Sequence, residues 1–523
     1  MPVTPTYPGV YIQELPSGSR TVTGVATSIT AFIGRTERGP ANEPITVFNF
    51  GEFEKLFGGL AIDMPMTYAV QDFFVNGGSQ GIIVRVLAGA ALEAPDGHGA
   101  SSAMLALGGL VITAANPGTW GSKLGVYFDK RNITTDNFWN INVVDTGSPK
   151  PYPTVETIGP VYLGPEDAPV RIDHVLATQS SYIRASAPIA APPTELLVQD
   201  QTQINPSTGN GMLIGGSDGD SLTTELVVGS EANRTGMYAL DNADLVNIMV
   251  IPPDPMLGGD ADMKVIYQKA AEYCADHRAI LIADPLDAWG FKAKRGQFDQ
   301  IQPTDFSIDA LIERRAVFTY FPRIKKPDPL RGNREMVFSA SGMIAGVFAA
   351  NDARRGVWKA PAGVEAGLNG VNALEYELTD EQNRVLNQVG INVLRDFPVI
   401  GNVIWGSRTL AGADALSDDY KYLPVRRLTN YIEDSLYRAT KFAVFEPNAE
   451  PLWATLRLAI GAFMSDLARQ GAFYDYYVRC DASTTTLFDI NLGRCNVIVA
   501  FAPVKPAEFI ILTIQQLALK PAA

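Results

Sequence analysis

Residues 244–286 read DLVNIMVIPPDPMLGGDADMKVIYQKAAEYCADHRAILIADPL, and this stretch decides the fold. LVNIMVI is a continuous apolar run without polar alternation, which predicts a strand buried on both faces. MKVIYQKAAEYCADHRA carries apolar residues at helical spacing, and AILIADPL is a second buried-type run. Strand, helix and strand in that order make the βαβ unit of a parallel sheet covered by helices.

Upstream, the same layers recur. TSITAFIGRTERGP (27–40) begins as an apolar strand, FGEFEKLFGG and MPMTYAVQDFFVNGG follow with a helix over the latter, and GIIVRVL (81–87) is another strand. Between about 91 and 227 the character changes to short strand runs broken by Gly, Pro, Asn and Asp, as in AANPGTWGSKLGVYFDKRN. The expectation is one α/β domain, 21–90 plus 228–360, interrupted by a β-rich insertion, 91–227. From 365 to 504 an α+β domain is expected. It holds a helix over LTDEQNRVLNQVG with Thr379 as N-cap, strands INVLRD and GNVIWGSRTL, and two amphipathic helices beginning near Val425 and Pro451.

The two ends read as extended arms. Pro2, Pro5, Pro8 and Pro16 exclude a helix over residues 1–20 and favour a short strand around Val10, Tyr11 and Ile12, which with Tyr7 is too apolar for a solvated tail. Past CNVIVAFAP and the turn PVKP, residues 505–523 contain an apolar strand pattern with Ile510, Leu512 and Ile514 on one face and Phe509 and Ile511 on the other. An uncovered apolar edge invites aggregation. This strand either pairs within its own domain or is donated to a neighbour.

Composition narrows the function classes. A chain of 523 residues, 46% hydrophobic and 19% charged, is long enough for several cores and too apolar for domain-scale disorder. Lys and Arg total 42 against 56 for Asp and Glu, and the resulting net charge of −14 disfavours nucleic acid. The N-terminal residues lack a signal-peptide pattern and no apolar run reaches spanning length, which predicts assembly in the cytoplasm without membrane insertion. Three cysteines (Cys274, Cys480, Cys495) do not make a disulfide framework, and His98, His174 and His277 have no ligand spacing, so no metal is expected.

The chemistry-bearing motifs are weak. GMLIGGSDGD (211–220) fits neither a phosphate loop nor a calcium loop and reads as a turn leaving the insertion. The pairs Asp241/Asp244 and Asp284/Asp287 sit where Asp and Pro end structure, with no accompanying histidine or glycine-rich loop. No catalytic residue and no cofactor is expected.

Several long blocks carry a resemblance. They are YPGVYIQELPSGSRTVTGVATSITAFIGRTERGP, GGSDGD, LVNIMVIPPD, AGVFAANDARRGVWKAPAG, LNQVGINVLRD, YLPVRRLTNYIEDSLYRATKFAVFEPNAEPLW and YYVRCDASTTTLFDINLGRCNVIVAFAPVKPAEFIILTIQQ. Together they are similar to the contractile tail sheath family of phages, pyocins and extracellular contractile injection systems. The resemblance implies a structural, non-enzymatic subunit that polymerises helically around an inner tube and contracts to drive the tube through a target envelope. Its implied partners are further copies of itself, the tube protein, and baseplate and terminal cap proteins. In the family, terminal extensions of neighbouring subunits join a sheet of a third, which maps here onto Met1–Arg20 and Lys505–Gln516. Residues 91–210 carry little of the resemblance, in keeping with variable outer inserts. Arg426, Arg427 and Arg457 are candidates for facing the tube, against the alternative of salt bridges within the domain. The competing readings are a soluble α/β enzyme of unknown substrate and a capsid or tube protein.

Overall fold

The computed structural model describes residues 21–87, 99–219 and 221–513, so Tyr7, Val10, Tyr11, Ile12 and Ile514 of the expected arm strands lie outside the described residues. Two compact units divide the chain at positions other than the expected boundaries. Of the described residues, the larger holds those within 28–354 and 361–423, and the smaller holds 21–27, 355–360 and 424–513.

The larger unit opens with β1 (Thr30–Gly34), β2 (Ile45–Val47), α1 (Phe50–Phe57), α2 (Pro65–Val75) and β3 (Gly81–Arg85). Asn49 starts α1 because its side chain accepts from Glu52 N at 2.8 Å, and Pro65 suits the first turn of α2, where no N–H is needed. The insertion contributes β4 (Met104–Leu107), β5 (Leu110–Ala114), β6 (Leu124–Asp129), β7 (Phe138–Asp145), β8 (Thr154–Tyr162), α3 (Ile172–Gln179) and β9 (Ile183–Ala185). After it come α4 (Thr224–Val228), β10 (Ile248–Val250), α5 (Asp260–Asp276), β11 (Ile280–Ala283), α6 (Asp287–Lys294), α7 (Leu311–Arg314) and β12 (Val317–Phe321). The unit then adds β13 (Ile324–Asp328), β14 (Arg334–Phe338), α8 (Ser341–Arg355), β15 (Ala373–Leu374), α9 (Asp380–Gln388), β16 (Asn392–Phe397) and β17 (Gly401–Trp405).

Eight of these strands form one sheet in the order β17-β16-β12-β11-β10-β1-β3-β2, parallel from β16 to β3 with antiparallel strands at both edges. Alternation of side chains explains why its strands are apolar throughout. Phe32, Ile248, Val250, Ile280, Ile282, Phe318 and Tyr320 face a core shared with α1, α2 and α8. Ala31, Ile33, Met249, Leu281, Val317 and Phe321 face the opposite core shared with α5 and α6. α8 lies against α2 so closely that a Cβ on Gly342 would meet the carbonyl oxygen of Ala69 at 2.2 Å. The expected α9 is present with its capping box: Thr379 Oγ1 accepts from Gln382 N, and Gln382 Oε1 accepts from Thr379 N at 2.9 Å.

The division at 423 has a physical cause. Val393 and Asn392 pair in parallel with Phe321 and Tyr320, which draws residues 361–423 into the main sheet, so the expected domain of 365–504 is split between the units. The inserted residues build two three-stranded antiparallel sheets around a core of their own, including Ile112, Trp120, Phe128, Trp139 and Leu176. Ser101 and Ser217 exchange backbone hydrogen bonds of 2.9 and 3.0 Å, bringing the two ends of the insertion together. Arg85, buried at the end of β3, donates to the carbonyls of Gly39 and Pro117 at 2.8 and 2.9 Å and so ties the insertion to the sheet.

The smaller unit is built from α10 (Leu423–Ala439), α11 (Glu450–Arg469), β18 (Phe473–Arg479), α12 (Leu487–Asn491) and β19 (Ile498–Pro503). Leu428 and Ile432 of α10 pack with Ile460, Phe463, Met464 and Leu467 of α11 and with Phe473. Gly471, with φ +84°, sits just beyond the end of α11, as Gly commonly does. Residues 21–27 belong here and not to the α/β layers: Val22 packs on this core and Val25 N donates to Ser435 Oγ at 3.2 Å. A Cβ on Gly24 would lie 1.8 Å from Tyr431 Oη, so a larger residue there would have to push the Tyr431 side chain aside.

Candidate assembly interface

The place to look for chemistry in an open parallel sheet is the crevice at the carboxyl ends of its strands, where the strand order reverses. In the larger unit that reversal lies between β1 and β10, and a cavity of ≈ 440 Å³ opens there. Most of the charged groups in and beside it are engaged in ion pairs or hydrogen bonds. Arg35 forms a two-pronged bond with Asp254, Nε and Nη2 each at 2.8 Å, bridging the two strands at the reversal. Tyr68 donates to Asp328 at 2.9 Å, Arg323 binds Asp287 and the Pro285 carbonyl, and Tyr267 donates to the Ile251 carbonyl while accepting from Asp284 N. What this arrangement does chemically is bind the strand-end loops together.

Asp284 and Asp287 are therefore not a pair acting on a common ligand. Asp287 is exposed and bound to Arg323, whereas Asp284 is buried and accepts from Ser341 N and Oγ at 3.2 and 2.6 Å, capping the start of α8. Burial pushes the Asp284 carboxyl up to about 6, against the lowering effect of its Ser341 bonds and of Arg323. Between its unfolded value near 4 and about 6, the folded chain holds a proton that the unfolded chain releases, so this group's contribution to stability falls as pH rises through that window. A shift of about two units corresponds to ~3 kcal/mol. Asp284→Asn is expected to remove this slope: wild type minus variant stability, measured by urea unfolding, should drop by about that amount from pH 4 to pH 7. A difference independent of pH would contradict the assignment.

The other singled-out residues have local tasks. Asp241 accepts from Tyr273 Oη at 2.9 Å, and His277, following α5, stacks on the Tyr273 ring at 3.9 Å. His174 lies beside Asp167 and Arg171. In GMLIGGSDGD, Gly215 and Gly219 adopt φ of +83° and +80°, and Asp218 accepts from Thr119 N and Oγ1, so the loop closes the base of the insertion. Among the described residues no metal-binding group of three His, Cys, Asp or Glu comes together, and no helix is long and apolar enough to cross a membrane.

The smaller unit presents a different kind of surface. β18 and β19 pair antiparallel as a two-stranded sheet, and among the described residues no further strand pairs with either edge. Beyond β19 the chain continues without secondary structure through Thr513, the last described residue. In this segment Phe509, Ile510, Ile511 and Leu512 are 72%, 81%, 88% and 82% exposed. The sequence pattern did not single out a second exposed set, Leu487 and Phe488 on α12, Leu492 just after it, and Phe445 before α11. Their apolar character within polar turns is the signal that could have found them. Phe445 holds φ +68°, a strained value for an aromatic residue.

The three arginines differ. Arg427 is buried and donates to the Thr27 carbonyl at 2.9 Å, so its expected tube-facing role is corrected: it ties residues 21–27 to α10. Arg426 Nε donates to Asn430 Oδ1 at 2.7 Å with Glu433 at 3.6 Å, and Arg457 binds Glu450 at 2.6 Å and the Cys480 carbonyl. These last two remain partly exposed.

Residues 304–410 match the family model described as phage tail sheath protein central domain, and residues 416–516 match that of the phage tail sheath C-terminal domain. The tail sheath protein of Vibrio phage KVP40 is 32% identical over 171 residues, 32% of this chain and 25% of that one. A putative prophage major tail sheath protein of Pseudomonas aeruginosa strain UCBPP-PA14 is 31% identical over 176 residues, 32% of this chain and 43% of that one. The matched stretch thus spans a quarter of one of these relatives and less than half of the other. The contracted helical sheath of the anti-feeding prophage shares the fold, with TM-score 0.57 and 23% identity over 98% of this chain and 100% of that chain.

Proposed function

From a chain that carries the central and C-terminal domains of phage tail sheath proteins, we propose a structural subunit of a contractile sheath. Copies polymerise helically around an inner tube, and contraction of the lattice drives the tube through a target envelope. The observation that carries this reading is the run Phe509–Leu512: four consecutive large apolar side chains, each at least 72% exposed, follow a two-stranded sheet in the same unit. An extended apolar segment and an open sheet edge are complementary halves of strand addition. Donated to a neighbouring copy, the segment Lys505–Gln516 gains backbone partners and buries its side chains, and Met1–Arg20 is the second arm.

A head-to-tail contact of this kind does not close on itself and generates a helical filament. The self-satisfied crevice supports a non-catalytic role, and the particle is a phage tail or a tail-like injection device with a baseplate and a terminal cap. Negative-stain microscopy of the concentrated full-length protein tests the reading. Ridged hollow cylinders are expected, and a chain that stays monomeric at high concentration overturns it.

Arg426 and Arg457 are the cations that this reading assigns to an acidic tube surface. Charge reversal at both, R426E and R457E, is expected to abolish co-assembly on tube in a pelleting assay while leaving the monomer's circular dichroism unchanged. Undiminished co-pelleting would remove them from the interface.

A further inference from the structure

Cys480 follows β18 and Cys495 precedes β19, so the hairpin register that pairs Arg479 with Ile498 brings the two thiols together, with Sγ···Sγ 3.8 Å. Between them the chain makes an excursion, Asp481–Arg494, in which helix α12 and the residue after it present the exposed side chains of Leu487, Phe488 and Leu492. The two sulfurs lie beside Leu452, Trp453 and Leu456 of α11. They differ in access: Cys480 is fully buried and Cys495 is half-buried.

We infer that Cys480 and Cys495 are an oxidation site that closes to an intramolecular disulfide and staples the two ends of the α12 excursion. This inference is independent of the sheath reading, since it rests on the geometry of one subunit. The oxidant is a small-molecule disulfide such as oxidised glutathione. The Cys495 thiolate, the one solvent reaches, attacks a reagent sulfur, the reagent's S–S bond breaks, and one glutathione leaves as a thiolate. Deprotonated Cys480 then attacks Cys495 Sγ, the protein disulfide forms, and the second glutathione leaves and takes up the proton. The balance is two protein thiols and one oxidised glutathione converted to one protein disulfide and two reduced glutathiones.

Burial, with Cys495 beside it, pushes the Cys480 thiol up to about 12, so its thiolate is scarce near neutrality. The closing step is slow in consequence and accelerates about tenfold per pH unit while the thiol remains mostly protonated. A chain folded in a reducing compartment therefore stays open and closes gradually under sustained oxidation. Cys274, buried in the other unit, is not part of the pair.

The test uses the full-length protein incubated with oxidised glutathione at several pH values, then alkylated and digested with trypsin without reduction. Cleavage after Arg479 and Arg494 releases Cys480 and Cys495 as the first residues of separate peptides. The expected result is a link between peptide 480–494 and the peptide beginning at Cys495. The thiol count measured in denaturant should fall from three to one, at a rate that rises with pH. In C480S the glutathione adduct at Cys495 should persist. Three thiols after prolonged oxidation, a lasting adduct on Cys495 in the wild type, or a link between two chains would each overturn the inference.

Discussion

A chain ending at Glu508 is expected to remain a folded monomer and to lose cylinder formation. Among the described residues that the deletion removes, Phe509 to Leu512 are 72% to 88% exposed and belong to no core cluster, so the cores keep their packing. The value of these four side chains appears only on assembly. Fully burying side chains of this size stabilises by about 1.5 to 3 kcal/mol each, so four contribute on the order of 6 to 12 kcal/mol. Ordering four residues costs about 1 to 2 kcal/mol each. The surplus is a few kcal/mol per junction, before main-chain hydrogen bonds are added. At about 1.4 kcal/mol per factor of ten, the concentration needed for assembly should rise at least a hundredfold, roughly. The full-length variant Ile511→Asp should show the same direction, because a carboxylate cannot be buried there unpaired. Cylinders from the truncated chain at the wild-type concentration would mean that strand donation does not hold the lattice.

Lys326→Met is expected to destabilise the larger unit severely. Lys326 on β13 and Asp72 on α2 form an ion pair whose side chains are 7% and 8% exposed. The ammonium also lies 4.8 Å from the Phe338 ring centroid. Burial pushes the Asp72 carboxyl upward even with the lysine beside it. Removing the lysine leaves that carboxylate without its counter-charge, which costs about 3 to 5 kcal/mol. Against a total stability of about 5 to 15 kcal/mol, this is a large fraction. Protonation relieves the variant's Asp72, so the deficit should be larger at pH 8 than at pH 5 in thermal unfolding. Lys326→Met combined with Asp72→Leu should recover most of the loss, because an apolar pair has no charge to desolvate. A single-variant cost below about 1 kcal/mol would show that water reaches the pair.

Much of the α/β layer was legible in the primary structure. Residues 244–286 show strand, helix and strand because a parallel strand buried on both faces has no polar alternation, and α5 repeats its apolar residues at helical spacing. Thr379 marks the start of α9 because a capping box is local chemistry within four residues. Pairing across long separations was not legible. β16 reads as a strand, but nothing local says that it lies beside β12, and that placement moves residues 361–423 into the larger unit. The helical pattern of α10 does not reveal that Arg427 meets the Thr27 carbonyl, a partner 400 residues away.

The C-terminal arm divides the two kinds of information most clearly. The order of residues alone determined that Phe509 to Leu512 are apolar and suited to a strand, since side-chain chemistry is intrinsic. Tertiary structure decided that the subunit leaves this segment unpaired and exposed, and that Cys480 stands against Cys495. The physical reason is the same in both cases. A strand or a bridge exists only where a second piece of chain supplies its hydrogen bonds or its sulfur, and which pieces meet is set by packing over the whole unit.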